Sequence, residues 1–301
     1  MALGTNQITQ TTGAVFIPEI WLNEIRGFLK AKLVMGNVVK TINHNRKAGD
    51  ILHIPDLSAL TANDKAVNTQ VTLQSPTETE FTLTINKHKE ASFLIEDFAG
   101  VQSNYALRSE YTRSAGYAIA KQQDTDIIGL GSGLSQAKIG GDGATAWDPT
   151  ANTNTGNGTD LTDAGIRAAI ELLDNADVPP ENRALVIHPS QKNVLLGINR
   201  FTEQAFYGEA SPIHTGEFGE IYGVKVFVTT QVPSVSATDT TTLYRRNLLL
   251  HRDAFAFAEQ ITPRIQSSYI LEYLGNLTVV DTVYGVAEFR DNHGISLYTP
   301  A

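Results

Sequence analysis

Between residues 49 and 86, apolar and polar positions alternate in short runs, and nothing nearby in the sequence would cover them. After the Gly49-Asp50 turn signal come Ile51, Leu52, Ile54 and Pro55, then a polar run from Ser58 to Gln70. Val67, Val71 and Leu73 precede Ser75-Pro76-Thr77, which reads as a turn, and Phe81, Leu83 and Ile85 follow it. The pattern predicts two alternating segments forming an extended ribbon. A ribbon of two strands is marginal in water, because its one apolar face has no cover. It therefore needs a partner surface, and the sequence on either side favours another subunit over the chain's own core.

The same reading places the remaining elements. Ile17-Pro18-Glu19-Ile20-Trp21 opens a helix to about Lys32, with Ile20, Trp21, Ile25, Phe28 and Leu29 on one face and Pro18 in the first turn. Val38 to Ile42 is a short strand. Phe93 to Phe98 leads into a helix that Ser103 caps and that runs to about Ile128. On it Leu107, Tyr111, Ala115, Ala118 and Ile119 follow helical spacing, and Arg108, Glu110, Arg113 and Lys121 lie largely elsewhere. Twenty-six residues would span ~39 Å, a strut longer than most globular helices. From Gly129 to Gly158 the chain is rich in Gly, Asn, Thr and Ser, which predicts a surface or inter-subunit loop with little role in the core.

Leu161 to Asp177 is an amphipathic helix with Ile166, Ala169, Ile170 and Leu173 inward, stopped by Pro179-Pro180. Arg183 to His188 is a buried-type strand, and Pro189 starts a short helix. Gly219 to Pro233 reads as a hairpin turning at Gly223. Leu248 to Leu250 is a strand, Asp253 to Ala258 a small-residue segment, and the last forty residues alternate through Leu277-Val279, Tyr284-Val286-Phe289 and Ile295-Leu297-Tyr298. There is no tandem repeat.

Composition narrows the classes. A chain of 301 residues can bury one or two substantial cores. The absence of Cys excludes disulfides, thiolate zinc sites and a cysteine nucleophile. The polar, Thr-rich start reads as neither signal peptide nor anchor, and no run approaches the ~18 apolar residues that cross a bilayer. A soluble protein made inside the cell, without membrane contact, is the expectation. The net charge of −9 argues against a general nucleic-acid binder. Residues 1–47 carry six Lys/Arg and two Asp/Glu, and the remainder seventeen and thirty. That asymmetry fits a basic arm meeting an acidic surface and fits a solvated terminus equally. Charged residues make up 18%, below the ~25% of ordinary soluble domains, as in surfaces that face protein instead of water.

A search for chemistry yields no constellation. His44, His53, His88, His188, His214, His251 and His293 form no zinc-binding spacing, so single structural or surface roles are expected. Asp124 and Asp126 diverge on a helix and read as solvated carboxylates, and Asp142 reads as a plain turn. Gly129, Gly131 and Gly133 follow a helix instead of a strand, and Leu134 stands where a nucleotide loop would need its third glycine. No GxSxG elbow is present. The sequons at Asn157 and Asn276 lack a secretory context. No catalytic residue, metal ligand or cofactor is expected, and the chain is not read as an enzyme.

The order of these elements carries a resemblance. A polar arm, a ribbon opened by GDILHIPDL, a strut helix ending in KQQDTDII, and an α/β unit follow one another. That unit holds RALVIHPSQKNVLLGI, GEIYGVKVFVTTQVP and LLLHRDAFAFAEQ, and a strand set ending YGVAEFRDNHGISLYTP closes the chain. From about Ile17 to Pro300 this resembles a tailed-bacteriophage major capsid protein of the Hong Kong 97 type. The resemblance implies an α+β fold divided into an N-terminal arm and first helix (1–44), an extended E-loop (45–90), and a peripheral (P) domain with spine helix and Gly-rich loop (91–160). An axial (A) domain (161–260) and C-terminal strands returning to the P domain (261–301) complete it. It implies a head protein that self-assembles through hexamers and pentamers into an icosahedral shell around double-stranded DNA, without sequence-specific binding. Its place would be the virion capsid, after synthesis and assembly in the host bacterial cytoplasm. Only about sixteen residues precede the first helix, so a separate scaffolding protein is expected, together with a portal and a cement protein. Val71, Leu73, Phe81, Leu83 and Ile85 would make the inter-subunit contact. An encapsulin-type nanocompartment shell is the alternative within this fold, and an α/β enzyme with Gly129–Gly158 as a lid is the alternative from another class.

Overall fold

The computed structural model describes residues 34–43, 49–58, 60–97, 106–151, 156–198, 219–238 and 241–301. The helix expected at 17–32 and the Ser103 cap lie outside them.

Two sheets form the body. The first has four strands, β1 (Lys40–Asn43), β4 (Lys87–Glu96), β11 (Phe255–Ile270) and β12 (Gly275–Glu288), in the order β1-β11-β12-β4. Its axis is the long antiparallel hairpin of β11 and β12, whose register slips near Ile261. Alternation assigns the two faces of β12. Thr278, Val280, Thr282 and Tyr284 are buried beneath α1 (Ala106–Gly129), where Ala115, Ile119 and Ala120 pack with Val280, Ile265, Phe93 and Ala91. Helix α1 covers 24 residues, ~36 Å of strut, as its length in the sequence predicts. Ala118 and Tyr111 of its expected apolar face are exposed. Strand β4 was missed: the charges of Lys87, Lys89 and Glu90 mask its alternation, although its odd positions turn toward the body throughout.

The second sheet takes β5 (Ala137–Ile139), β6 (Arg183–Ile187), β7 (Glu220–Ile221), β8 (Val224–Val228), β9 (Ser234–Ser236), β10 (Leu243–His251) and β13 (Gly294–Pro300). Strand β6 is buried at every position, as its unbroken apolar run predicts. Its Leu185 and Ile187 meet Ile166, Ala169 and Leu173 of α2 (Asp163–Asn175). Its Ala184 and Val186 meet Met35, Ile127, Ile128 and Phe255 on the opposite face. Two cores therefore sandwich this sheet. Helix α2 starts where Thr162 Oγ1 accepts the Gly165 amide at 3.0 Å. Helix α3 (Pro189–Leu196) has Pro189 in its first turn and His188 as its cap. Tyr222 and Gly223 turn the β7–β8 hairpin with φ of 51° and 78°, the left-handed pair that a two-residue hairpin loop needs.

Two placements differ from expectation. Residues 261–288 stay in the four-stranded sheet, but β13 pairs with β10 and β5 in the other one, so the final strands divide between the sheets. The described parts of the stretch from Gly129 to Gly158, 129–151 and 156–158, are not a loose loop. Leu134 is buried, β5 runs parallel to β13, and the Trp147 ring stacks on Tyr298 with centroids 3.9 Å apart. Gly131 and Gly158 lie so close to Leu248 and Tyr244 that neither has room for a Cβ. The polar composition concealed this because one tryptophan, one leucine and close-packed glycines make the contacts.

Candidate functional site: the extended ribbon

The ribbon pairs β2 (Ile51–Asp56) with β3 (Thr79–Thr84), in the antiparallel register Leu52↔Leu83 and Ile54↔Phe81. The second expected strand is therefore present, and the first is not where alternation placed it. Residues 67–73 form no strand. The partner of β3 is the earlier apolar run at 51–56, because that run can share cover with Leu83.

That cover comes from the chain itself. Leu83 is fully buried and Ile85 is 7% exposed, packed with Ala256 and Ala258 of β11 and with Ile42, Leu52, Val283 and Ala287. Gly285 admits the ribbon: a Cβ there would stand 2.5 Å from the Thr84 carbonyl oxygen. Phe81 is half-buried and meets Phe289 edge-on, with ring centroids 5.0 Å apart. The base of the ribbon thus belongs to the subunit core, which corrects the expectation that Leu83 and Ile85 await a neighbour.

The outer part, 57–78, is different. Leu57, Leu60, Val67, Val71 and Leu73 are all exposed, Val67 by 89% and Leu73 by 87%. Two extended segments run side by side without ladder pairing. They are tied by Ser58 Oγ donating to the Thr77 carbonyl at 3.0 Å, and by the Thr61 amide donating to Gln74 Oε1 at 2.9 Å. Asn68 takes a left-handed φ of 64° at the distal turn, where asparagine is tolerated. Two strips without a core between them hold several large apolar side chains in water. That is the signature of a surface awaiting a partner.

Side chains suspected of chemistry serve the fold. His188 and His251 accept the Ser190 and Asp253 amides as caps, each at 3.2 Å. Asp142 accepts the Ala144 and Thr145 amides at 2.9 and 2.8 Å, the turn expected of it. Asp124 is no solvated carboxylate. It is 3% exposed and accepts the Val34 and Met35 amides, each at 3.2 Å. Burial raises its pKa to about 6 against the lowering effect of those two bonds. Asp126 turns away, as the i, i+2 spacing requires, to accept the Tyr284 hydroxyl at 2.8 Å and pair with Lys87 at 3.3 Å. Among the described residues no group of three or more His, Cys, Asp or Glu is placed to hold a metal ion. Nor is any described helix long and apolar enough to cross a membrane.

A model of the family of phage capsid proteins matches residues 37–284. The chain belongs to that family. No curated protein matches the sequence. Among solved structures, the chain is similar to one from Mycobacterium phage Che8, at 21% identity and a TM-score of 0.64, covering 83% of this chain and 85% of that one. The capsid structure of cyanophage P-SCSP1u matches at 18% identity and a TM-score of 0.69, over 89% and 88%. A virus-like particle from Pyrococcus furiosus matches at 10% identity and a TM-score of 0.56, over 93% and 98%. The fold is that of Hong Kong 97-type capsids, and the capsid protein is a structural subunit of the virion that assembles with its own kind into a shell. The α/β enzyme reading finds no support: in the described part of its lid, β5 pairs within the seven-stranded sheet and Trp147 stacks on that sheet's Tyr298.

Proposed function

We propose that this capsid protein forms the hexamers and pentamers of an icosahedral shell around double-stranded DNA, and that the outer ribbon joins neighbouring subunits. In this reading 45–90 is the E-loop, the four-stranded sheet with α1 is the P domain, and most of the seven-stranded sheet is the A domain. The observation that carries it is the exposure of Val71, Leu73 and their apolar neighbours on a strip with no cover of its own. Burying one such side chain is worth ~1.5–3 kcal/mol, and a closed shell repeats the contact in every copy. The four-stranded sheet offers surfaces of matching character, with Leu94 exposed on an edge strand and Tyr269, Leu271, Tyr273 and Leu274 exposed around the β11–β12 tip.

The net charge of −9 suits a wall that contains DNA without gripping it, since phosphate contacts come from Lys and Arg. A scaffolding protein, a portal and a cement protein complete the particle, which assembles in the bacterial cytoplasm, and the subunit performs no catalysis. Electron microscopy and nucleic-acid content of particles made in infected cells test the reading. Closed shells filled with DNA are expected. Shells holding a specific protein cargo and no DNA would move the assignment to a nanocompartment, and discrete small oligomers would overturn it.

A further inference from the structure

Two short 3-10 turns lie side by side where the chain passes between the sheets. Arg252–Ala254 carries β10 into β11, and Asp291–His293 carries β12 into β13. They are bound to each other: the Phe289 and Arg290 amides donate to the Ala254 carbonyl at 2.8 and 3.1 Å. The buried rings of His251 and His293 meet edge-on with centroids 5.5 Å apart. On another side of the second crossing, the Glu288 and Asp291 carboxyls lie against the same short segment after α1, within reach of each other: Glu288 Oε2 abuts Gly133, and Asp291 accepts the Ser135 amide at 2.7 Å. Two pairs of like titratable groups therefore bracket one joint.

Two carboxyl groups share a hydrogen bond only while one of them holds a proton. Two adjoining imidazoles repel once both are charged. His251 has a further constraint, because its Nδ1 accepts the Asp253 amide and cannot do so when protonated. We propose that the Glu288–Gly294 crossing is a proton-gated joint between the two sheets. It is closed while the carboxyl pair keeps one proton and the imidazole pair is neutral, and it loosens when the first is lost or the second gained.

The surroundings support this. Asp291 is the charged group acting on Glu288, and neighbouring Gly133 and Ser135 from the loop after α1 and Phe255 from β11 are neutral. Burial, then the bond to Asp291, raises Glu288 to about 7. Its contribution is therefore full below ~4.5 and lost as pH rises through about 7. Around His251 stand Asp253, Arg183 and Glu181, and around His293 stand Arg290, His251 and Asp253. Burial is the largest effect on both rings and lowers both. Their contribution is present above ~6.5 and lost as pH falls through the lowered values.

Hydrogen exchange of the full-length protein from pH 5 to 8 tests the joint. The readout is the protection of residues 289–294 in Glu288→Gln divided by that in wild type, a ratio in which intrinsic exchange chemistry and the histidines cancel. One proton with a folded pKa of about 7 predicts a rise of about sevenfold from pH 5 to 6 and about fivefold from pH 6 to 7. Should Glu288→Gln fail to fold, Asp291→Asn should give the same rise, reduced in size. His251→Asn, which keeps a capping acceptor, should give a ratio that rises as pH falls below 6.5. A ratio flat within twofold for the carboxyl variant that folds would overturn the proposal, as would an equal change in α2, away from the joint.

Discussion

The β11–β12 hairpin and the ribbon of β2 and β3 are both antiparallel pairs with alternating side chains, and they have opposite fates. The hairpin is covered along one face by α1 and flanked by β1 and β4, so its alternation becomes a core. The ribbon is covered only at its base, and beyond Leu57 the same kind of alternation stays in water. Alternation therefore specifies a strand only where something lies on its apolar side. The ribbon is accordingly two things, a foldable base and an outer strip that the subunit leaves unfinished.

Substitutions should divide along the same line, and the largest effect belongs to the base. Leu83→Ala removes a fully buried side chain and should cost ~2–5 kcal/mol in urea unfolding of the unassembled chain. An effect below ~1 kcal/mol would show that the base is not core. Trp147→Ala comes next, at ~2 kcal/mol, because the half-buried ring stacks on Tyr298 and touches Tyr244. A variant as stable as wild type would restore the view of 129–158 as a passive loop.

Much of this was legible in the sequence, and the gaps have physical causes. The β6 run, the α2 stripe, the turn at Gly223 and the length of α1 could be read locally because neighbouring residues determine them. Strand β4 could not, since Lys87 and Lys89 stand at inward positions where apolar residues are usual. The partner of β3 was misassigned because both 51–56 and 67–73 alternate, and only Ile42, Ala256, Ala258 and Val283, distant in sequence, choose between them. The role of Asp124 was hidden for the same reason: the amides it caps lie about ninety residues earlier.

Asp124→Asn probes that link with a smaller effect. Replacing the carboxyl group, which accepts two amides and is mostly protonated in the folded chain at pH 5, should cost ~1 kcal/mol at that pH. Because its folded pKa is raised to about 6, the wild-type contribution is complete below ~3.8 and lost as pH rises through 6. The difference in melting temperature between wild type and variant should therefore shrink from pH 5 to pH 8. A difference that grows would mean that the charged form is the stabilising one. Leu73→Ser should have the smallest effect on the subunit, within ~0.5 kcal/mol, while lowering shell yield. A destabilised subunit that assembles normally would reverse the roles of base and strip.

The division is tested most directly by removing the strip alone. Asp56 and Thr79 are register partners, so Asn-Gly in place of residues 57–78 closes β2 and β3 with a two-residue turn and spares Phe81, Leu83 and Ile85. Sedimentation velocity, electron microscopy and thermal melting of this variant give the answer together. The account predicts a soluble subunit that melts cooperatively at the wild-type temperature and forms no shells. Shells at wild-type yield, or a chain that no longer folds, would contradict it.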